Sequence, residues 1–268
     1  MRWMVALSKQ KTTKSLFLRK ASRNSASVLF VLPVLLIGLT AASVIRVETV
    51  RISSKDGLQL TADEYLTEKD NPYILLFHEQ ESSRGEFTTI AKKLCKMDYN
   101  CLAVDLRNGG SGNNVSNESY KRSRDGGFSM DRADVEKDIL AAIAYARSKS
   151  EQPVILFGSG ANASLSLKLA SENDHVRAVV ALSPGEYYQP QISIQDTITG
   201  MRKPVFASSS MSEMPYLQTL VSGIDDDYLT LFEPRLGEGA RGSASLANKT
   251  ENHSEYWLAL LLFFKELV

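Results

Sequence analysis

Val154-Ile-Leu-Phe-Gly-Ser-Gly-Ala-Asn-Ala163 decides how this chain is read. An apolar run gives way to a burst of small residues, and the helix-like Ser164-Leu-Ser-Leu-Lys-Leu-Ala170 follows. Strand, tight turn and helix in that order form an elbow that holds one strained residue, and its side chain, at the top of a sheet. In a G-x-S-x-G reading Gly158 is the first glycine and Ser159 is x, so the nucleophile position falls on Gly160, and Asn162 replaces the last glycine. The turn is kept and the attacking side chain is missing from it.

Outward from the elbow the elements alternate. Thr49-Val-Arg-Ile-Ser53 and Leu58-Gln-Leu-Thr-Ala-Asp-Glu-Tyr65 alternate apolar and polar residues about Lys55-Asp-Gly57, which predicts an antiparallel hairpin. Tyr73-Ile-Leu-Leu-Phe77 and Cys101-Leu-Ala-Val104 are short continuous apolar runs, the pattern of strands buried on both faces. Further strands are expected at Val154–Phe157, Ala178–Leu182, Pro204–Ala207 and Tyr228–Phe232, with helices over Phe87–Met97, Asp134–Arg147 and Glu255–Val268. Gly109–Gly127 reads as loop. An antiparallel start followed by strand–helix units predicts an α/β, three-layer sandwich with a mostly parallel sheet. Ligands of such sheets bind at the carboxyl ends of the strands.

Charge and hydropathy divide the chain. Residues 1–25 hold seven of the 31 Lys and Arg and no acid, leaving 24 basic against 31 acidic groups in the remainder. A body with an acidic excess does not present the basic surface that nucleic acid requires. Residues 26–45 carry no charge. Spanning a bilayer takes about 20 apolar residues and a signal-peptide core about 7–15. The expectation is therefore a basic cytoplasmic segment over 1–25, a hydrophobic helix over 26–45 acting as a signal anchor, and a globular domain over 46–268. The domain then lies outside the cytoplasm and meets the membrane through residues 26–45. Small residues at Thr40-Ala-Ala-Ser43 leave open a cleaved, secreted or periplasmic form. Cys95 and Cys101 read as buried thiols, with a disulfide between them left open in an oxidising compartment, and no CxxC, paired-His or HExxH spacing suggests a metal. No cofactor is expected.

From Thr49 onward the chain resembles the α/β-hydrolase superfamily, the small dienelactone-hydrolase-like members in particular. The resemblance rests on Phe77-His-Glu-Gln80, Ser83-Arg-Gly-Glu-Phe87, Asp105-Leu-Arg-Asn-Gly-Gly-Ser111, the elbow, and Leu182-Ser-Pro-Gly-Glu-Tyr-Tyr188, in that order. It implies a nucleophile at the elbow, an acid after a late strand and a histidine before the final helix. Those positions match Gly160, Glu213 and Arg241. A guanidinium does not accept a proton near neutral pH, so Arg241 is no base, and Glu213 and Arg241 are expected to pair.

Other residues of the expected site are Ser159, one position early and an alternative nucleophile, and His78, Glu79 and Ala161 as ligand contacts. His78 follows the third strand, whose loop would complete an oxyanion hole with the N–H of Ala161. His175 and His253 read as surface residues. Three functions follow as expectations. The first is a catalytically degenerate, extracytoplasmic binding or scaffold domain for a small anionic or ester-like ligand. The second is an active hydrolase of small esters or lactones with a rearranged site, and the third is a structural envelope component with a filled pocket.

Overall fold

Tyr73-Ile-Leu-Leu-Phe77 sends apolar side chains to both faces of one strand, and all five residues are buried. The computed structural model describes residues 44–131 and 134–267. Its strands, in chain order, are β1 (Arg46–Ser53), β2 (Gln59–Leu66), β3 (Tyr73–Phe77), β4 (Asn100–Val104), β5 (Ser111–Gly112), β6 (Val115–Ser116), β7 (Val154–Ser159), β8 (Val176–Leu182), β9 (Val205–Ser208) and β10 (Leu229–Phe232). Eight of them form one sheet in the order β1-β2-β4-β3-β7-β8-β9-β10, while β5 and β6 make a separate short ribbon. From β4 to β10 the neighbours are parallel, whereas β1 pairs antiparallel with β2 and β2 with β4. This is the mostly parallel sheet with an antiparallel start that the patterning predicts.

Helices cover both faces. They are α1 (Thr88–Cys95), α2 (Glu118–Asp125), α3 (Val135–Lys149), α4 (Ala161–Glu172), α5 (Ile194–Ile198), α6 (Met214–Val221) and α7 (His253–Glu266). Alternation along β3 feeds two cores. Tyr73, Leu75 and Phe77 pack with the apolar stripes of α3, α4, α5 and α6. Ile74 and Leu76 pack with Phe87 and the stripes of α1 and α7. Burying a leucine-sized side chain contributes about 1.5–3 kcal/mol, so these doubly covered strands dominate the stability.

One expectation needs amendment. The interval Gly109–Gly127 is not all loop, because β5, β6 and α2 lie in it. Helix α2 escapes apolar periodicity since its buried residues are Ser119 and Ser123. It is held by polar bonds: Asn117 caps it by accepting from the Tyr120 N–H at 2.7 Å, and Ser119 Oγ accepts from the Thr61 N–H of β2 at 2.9 Å. The expected basic segment and hydrophobic helix fall outside the described residues, apart from Val44 and Ile45. Among the described helices none is long and apolar enough to cross a membrane.

Candidate functional site

The strand β7 ends at Ser159 and α4 begins at Ala161, so the whole reversal from sheet to helix happens at Gly160. Its φ of 59° and ψ of −128° lie where side chains are strained. Its N–H donates to Leu182 of β8 at 2.8 Å, and its carbonyl accepts from Ala163 at 3.0 Å. The neighbouring Gly158 is required for a different reason. A β-carbon there would run into the backbone of Ala163 and the carbonyl of Asn162, so glycine lets α4 close onto the strand.

Glu79 stands over this turn. A β-carbon built on Gly160 would overlap the Glu79 carboxylate, which occupies the space a nucleophile's side chain would take. The carboxylate accepts from its neighbour's Gln80 N–H at 3.4 Å and from the Ala161 N–H, the donors after β3 and after the elbow position. Two such N–H groups would cradle an oxyanion in an acyl-transfer enzyme; here they face the chain's own carboxylate. Burial pushes the Glu79 carboxyl above its ordinary range, and the nearby Glu86 adds to this. Arg241 and the two backbone donors oppose it.

Arg241 joins the site from the far side. Its Nε lies 3.6 Å from Glu79 Oε2, Nη2 donates to the Tyr187 hydroxyl at 2.6 Å, and Nη1 pairs with Glu213 Oε1. The guanidinium also sits 5.6 Å from the Tyr187 ring centre, within cation–π range. Burial alone would lower its affinity for the proton, but Tyr187, Glu79 and Glu213 together raise it. Glu213 is further bound by Ser183 Oγ at 2.7 Å and Ser210 Oγ at 3.3 Å. Ser183 in turn accepts from the Gly242 N–H at 2.9 Å, which ties the end of β8 to the turn after Arg241.

The other expected residues do different work. Ser159 is buried, and its Oγ accepts from the Ser243 N–H at 2.9 Å, a brace between the sheet and the Gly242–Leu246 turn. His78, expected as a ligand contact, is buried with both ring nitrogens engaged inside the protein. Its Nδ1 lies 2.8 Å from the Glu79 carbonyl, and its Nε2 accepts from the Leu106 N–H at 2.9 Å. That pattern makes Nδ1 the protonated nitrogen of a neutral ring. His78 therefore shapes the loop that carries Glu79, and its ring is committed to backbone because the strand end is packed under α2 and the segment after β4. Ala161, expected as a ligand contact through its backbone N–H, presents that N–H to the Glu79 carboxylate.

His175 is exposed just before β8, at the opposite end of the strands. His253 begins α7 with Nδ1 2.8 Å from the Thr250 carbonyl. All three histidines of the chain are thus accounted for away from the position above Gly160. Among the described residues no cluster of three or more His, Cys, Asp or Glu is arranged to hold a metal.

Sequence reading missed three participants. Glu86 accepts from the Glu79 N–H at 3.0 Å and from Ser243 Oγ at 2.6 Å. Tyr187 packs on Arg241, and Ser183 links Glu213 to Gly242. Tyr187 and Ser183 lie in Leu182–Tyr188, a stretch already conspicuous for its resemblance, so position was legible and role was not.

No family model matches this chain, and no curated protein matches it in sequence. Solved structures match in fold. An esterase of Pyrococcus furiosus is similar at a TM-score of 0.61 and 16% identity, over 83% of this chain and 90% of that one. A dienelactone hydrolase from Anabaena variabilis gives 0.60 and 15%, over 82% and 95%. A protein described as a putative dienelactone hydrolase from Klebsiella pneumoniae gives 0.60 and 15%, over 83% and 99%. The sheet and its helices therefore have the α/β-hydrolase fold.

Proposed function

We propose that this chain is a non-hydrolytic protein on the α/β-hydrolase fold, a binding or scaffold domain held outside the cytoplasm by residues 26–45. One observation carries the loss of catalysis: Gly160 keeps the strained elbow backbone while the Glu79 carboxylate fills the space above it. Nucleophilic acyl transfer needs an attacking group, a base to take its proton and donors for the developing oxyanion. Gly160 supplies no attacking group, Arg241 is no base, and the donors are engaged by Glu79. Ser159, the alternative nucleophile, faces the Ser243 N–H and has no imidazole beside it.

The ligand this reading favours is a small carboxylate or similar anion that takes the place of the Glu79 carboxylate. Arg241 and the N–H groups of Gln80 and Ala161 would receive it, the same donors that now meet Glu79.

Labelling with a fluorophosphonate serine-hydrolase probe tests the reading. Wild type should stay unlabelled, and so should Ser159→Ala. The variant Glu79→Ala/Gly160→Ser/Arg241→His, which restores the missing groups and clears the space, should react. Labelling of wild type that Ser159→Ala abolishes would sink the proposal in favour of an ester or lactone hydrolase with a displaced nucleophile. For the membrane part, alkaline phosphatase fused after Val268 should be active in a bacterial host, and an inactive fusion would place the domain on the cytoplasmic side.

A further inference from the structure

Helix α7 has more apolar surface than the core can take. Tyr256, Leu260, Phe263 and Phe264 are buried against the sheet, yet Leu258 and Leu262, one turn apart on the outer side, are 58% and 53% exposed. Trp257 lies beside them, its ring fixed by an indole N–H that donates to the Leu246 carbonyl at 3.0 Å. Two adjoining grooves, of about 360 and 380 Å³, share Trp257 and Lys93 between α1 and α7.

The charged side chains lining these two grooves are all lysines, while Glu255 and Glu266 lie on α7 beyond either end of the leucine pair. Lys93 Nζ is 4.5 Å from the Trp257 ring centre, and Lys92 and Lys96 line the same groove. Among the described residues none of these three lysines forms an ion pair with an acid. Residues 26–268 as a whole carry seven more acids than bases. A cationic, leucine- and tryptophan-bearing patch on an acidic body is a local feature with its own complement.

We propose that the α1–α7 face seats on an anionic lipid bilayer surface. Leucines on a convex helix enter the acyl boundary, an indole sits at headgroup depth, and lysine stems extend so that their ammonium groups reach lipid phosphates. A second copy of the chain fits less well, because a two-fold contact through this face would bring two lysine triplets together. An acidic protein would satisfy the lysines but leave two protruding leucines to be matched separately. The proposal uses no side chain of the Gly160 site and stands apart from its function.

Trp257 is a built-in reporter, since Trp3 is the other tryptophan of the chain. The full chain carrying Trp3→Phe is reconstituted through residues 26–45 into vesicles of phosphatidylcholine, with or without phosphatidylglycerol, containing a lipid brominated near the headgroup end of its acyl chains, so that quenching reads the seating of the α1–α7 face and not the anchoring of the chain. Trp257 fluorescence should be quenched and blue-shifted on the phosphatidylglycerol vesicles alone, and added salt should reverse it. Neutralising Lys92, Lys93 and Lys96 to Gln should lower the quenching-derived ratio of seated to unseated protein by about fivefold per lysine. Leu258→Ser/Leu262→Ser, at exposed positions that leave the fold intact by circular dichroism, should remove the blue shift. Equal quenching on both vesicles, quenching on neither, or quenching unchanged in the lysine variant overturns the proposal. So does a dimer that Leu258→Ser/Leu262→Ser dissociates without any lipid effect, or binding of an acidic peptide in place of vesicles.

Discussion

Gly160 and Glu79 are best understood as one unit, since the first leaves the volume that the second fills. A β-carbon at Gly160 meets two penalties, the left-handed backbone and the overlap with Glu79, and only the second can be relieved by mutation elsewhere. Gly160→Ala should therefore destabilise by about 1–2 kcal/mol from the backbone alone, with more in the presence of Glu79. In a double-mutant cycle with Glu79→Ala, urea denaturation should return a coupling of about 0.5–3 kcal/mol; an additive cycle would show that the two do not share the space. Glu79 also makes a pH prediction. Burial raises its carboxyl in the folded state above the ordinary 4.5, so the native protein holds this proton longer than the unfolded chain does. Stability from this group is highest below 4.5 and falls as pH rises through the interval up to the folded value. Glu79→Gln lacks that limb, and its stability relative to wild type should increase between pH 4 and 7 in chemical denaturation.

The β7–turn–α4 unit is positioned by bonds that reach other strands. Asn162, at the start of α4, is buried and donates from Nδ2 to the His78 carbonyl at 2.6 Å, joining the elbow to the loop after β3. Asn162→Ala leaves that carbonyl without this donor and should cost about 1–3 kcal/mol, read as a lowered denaturant midpoint with an unchanged slope. The same burial bears on glycosylation: of the five Asn-x-Ser/Thr sequons in the chain, the asparagines at 117, 162 and 252 are buried while Asn114 and Asn248 are exposed. Helix α2 illustrates the opposite limit of pattern reading. Its stabilising contacts are the Asn117 cap, the Ser119 bond to β2 and Arg122 donating to the Gln59 carbonyl at 2.6 Å, which carry no period that a sequence displays, whereas the Val135, Ile139, Ala142, Ile143 and Ala146 stripe of α3 follows from spacing alone.

Long-range order across the fold depends on one buried cation. Arg107, after β4, donates to Asp138 of α3 at 2.7 Å and to Asp56 of the β1–β2 turn at 2.7 Å, and both Arg107 and Asp138 are fully buried. It fastens the antiparallel hairpin to the parallel part of the sheet. Removing one partner strands a buried charge, so Arg107→Ala should cost about 3–5 kcal/mol, and a loss below about 1 kcal/mol would contradict the network's role. Asp56 adds an acid limb: the Arg107 bond and charge hold its carboxyl down at about 2, from an ordinary 3.8, against the opposing effect of burial. Its contribution is complete above 3.8 and is lost as pH falls from there towards 2. Acid unfolding of Asp56→Asn followed by circular dichroism should accordingly show a shallower loss over that interval.

The order of strands and helices, the antiparallel start and the elbow at Gly158–Asn162 were legible in the chain because each is written locally, as a period, a run or a cluster of small residues. That Gly160 and Arg241 stand where the resemblance expects a nucleophile and a base was an expectation read from the residues that flank them. The Glu213–Arg241 pair was an expectation from those positions, and its atoms are in contact in the fold. What Glu79 and His78 do was decided in three dimensions. They are consecutive in the chain, yet the Glu79 carboxylate stands over a turn about 80 residues away while the His78 ring points into the packing beneath it. Adjacent residues at a strand end diverge to opposite sides of the backbone, and which side holds the site depends on the elements that later segments bring there.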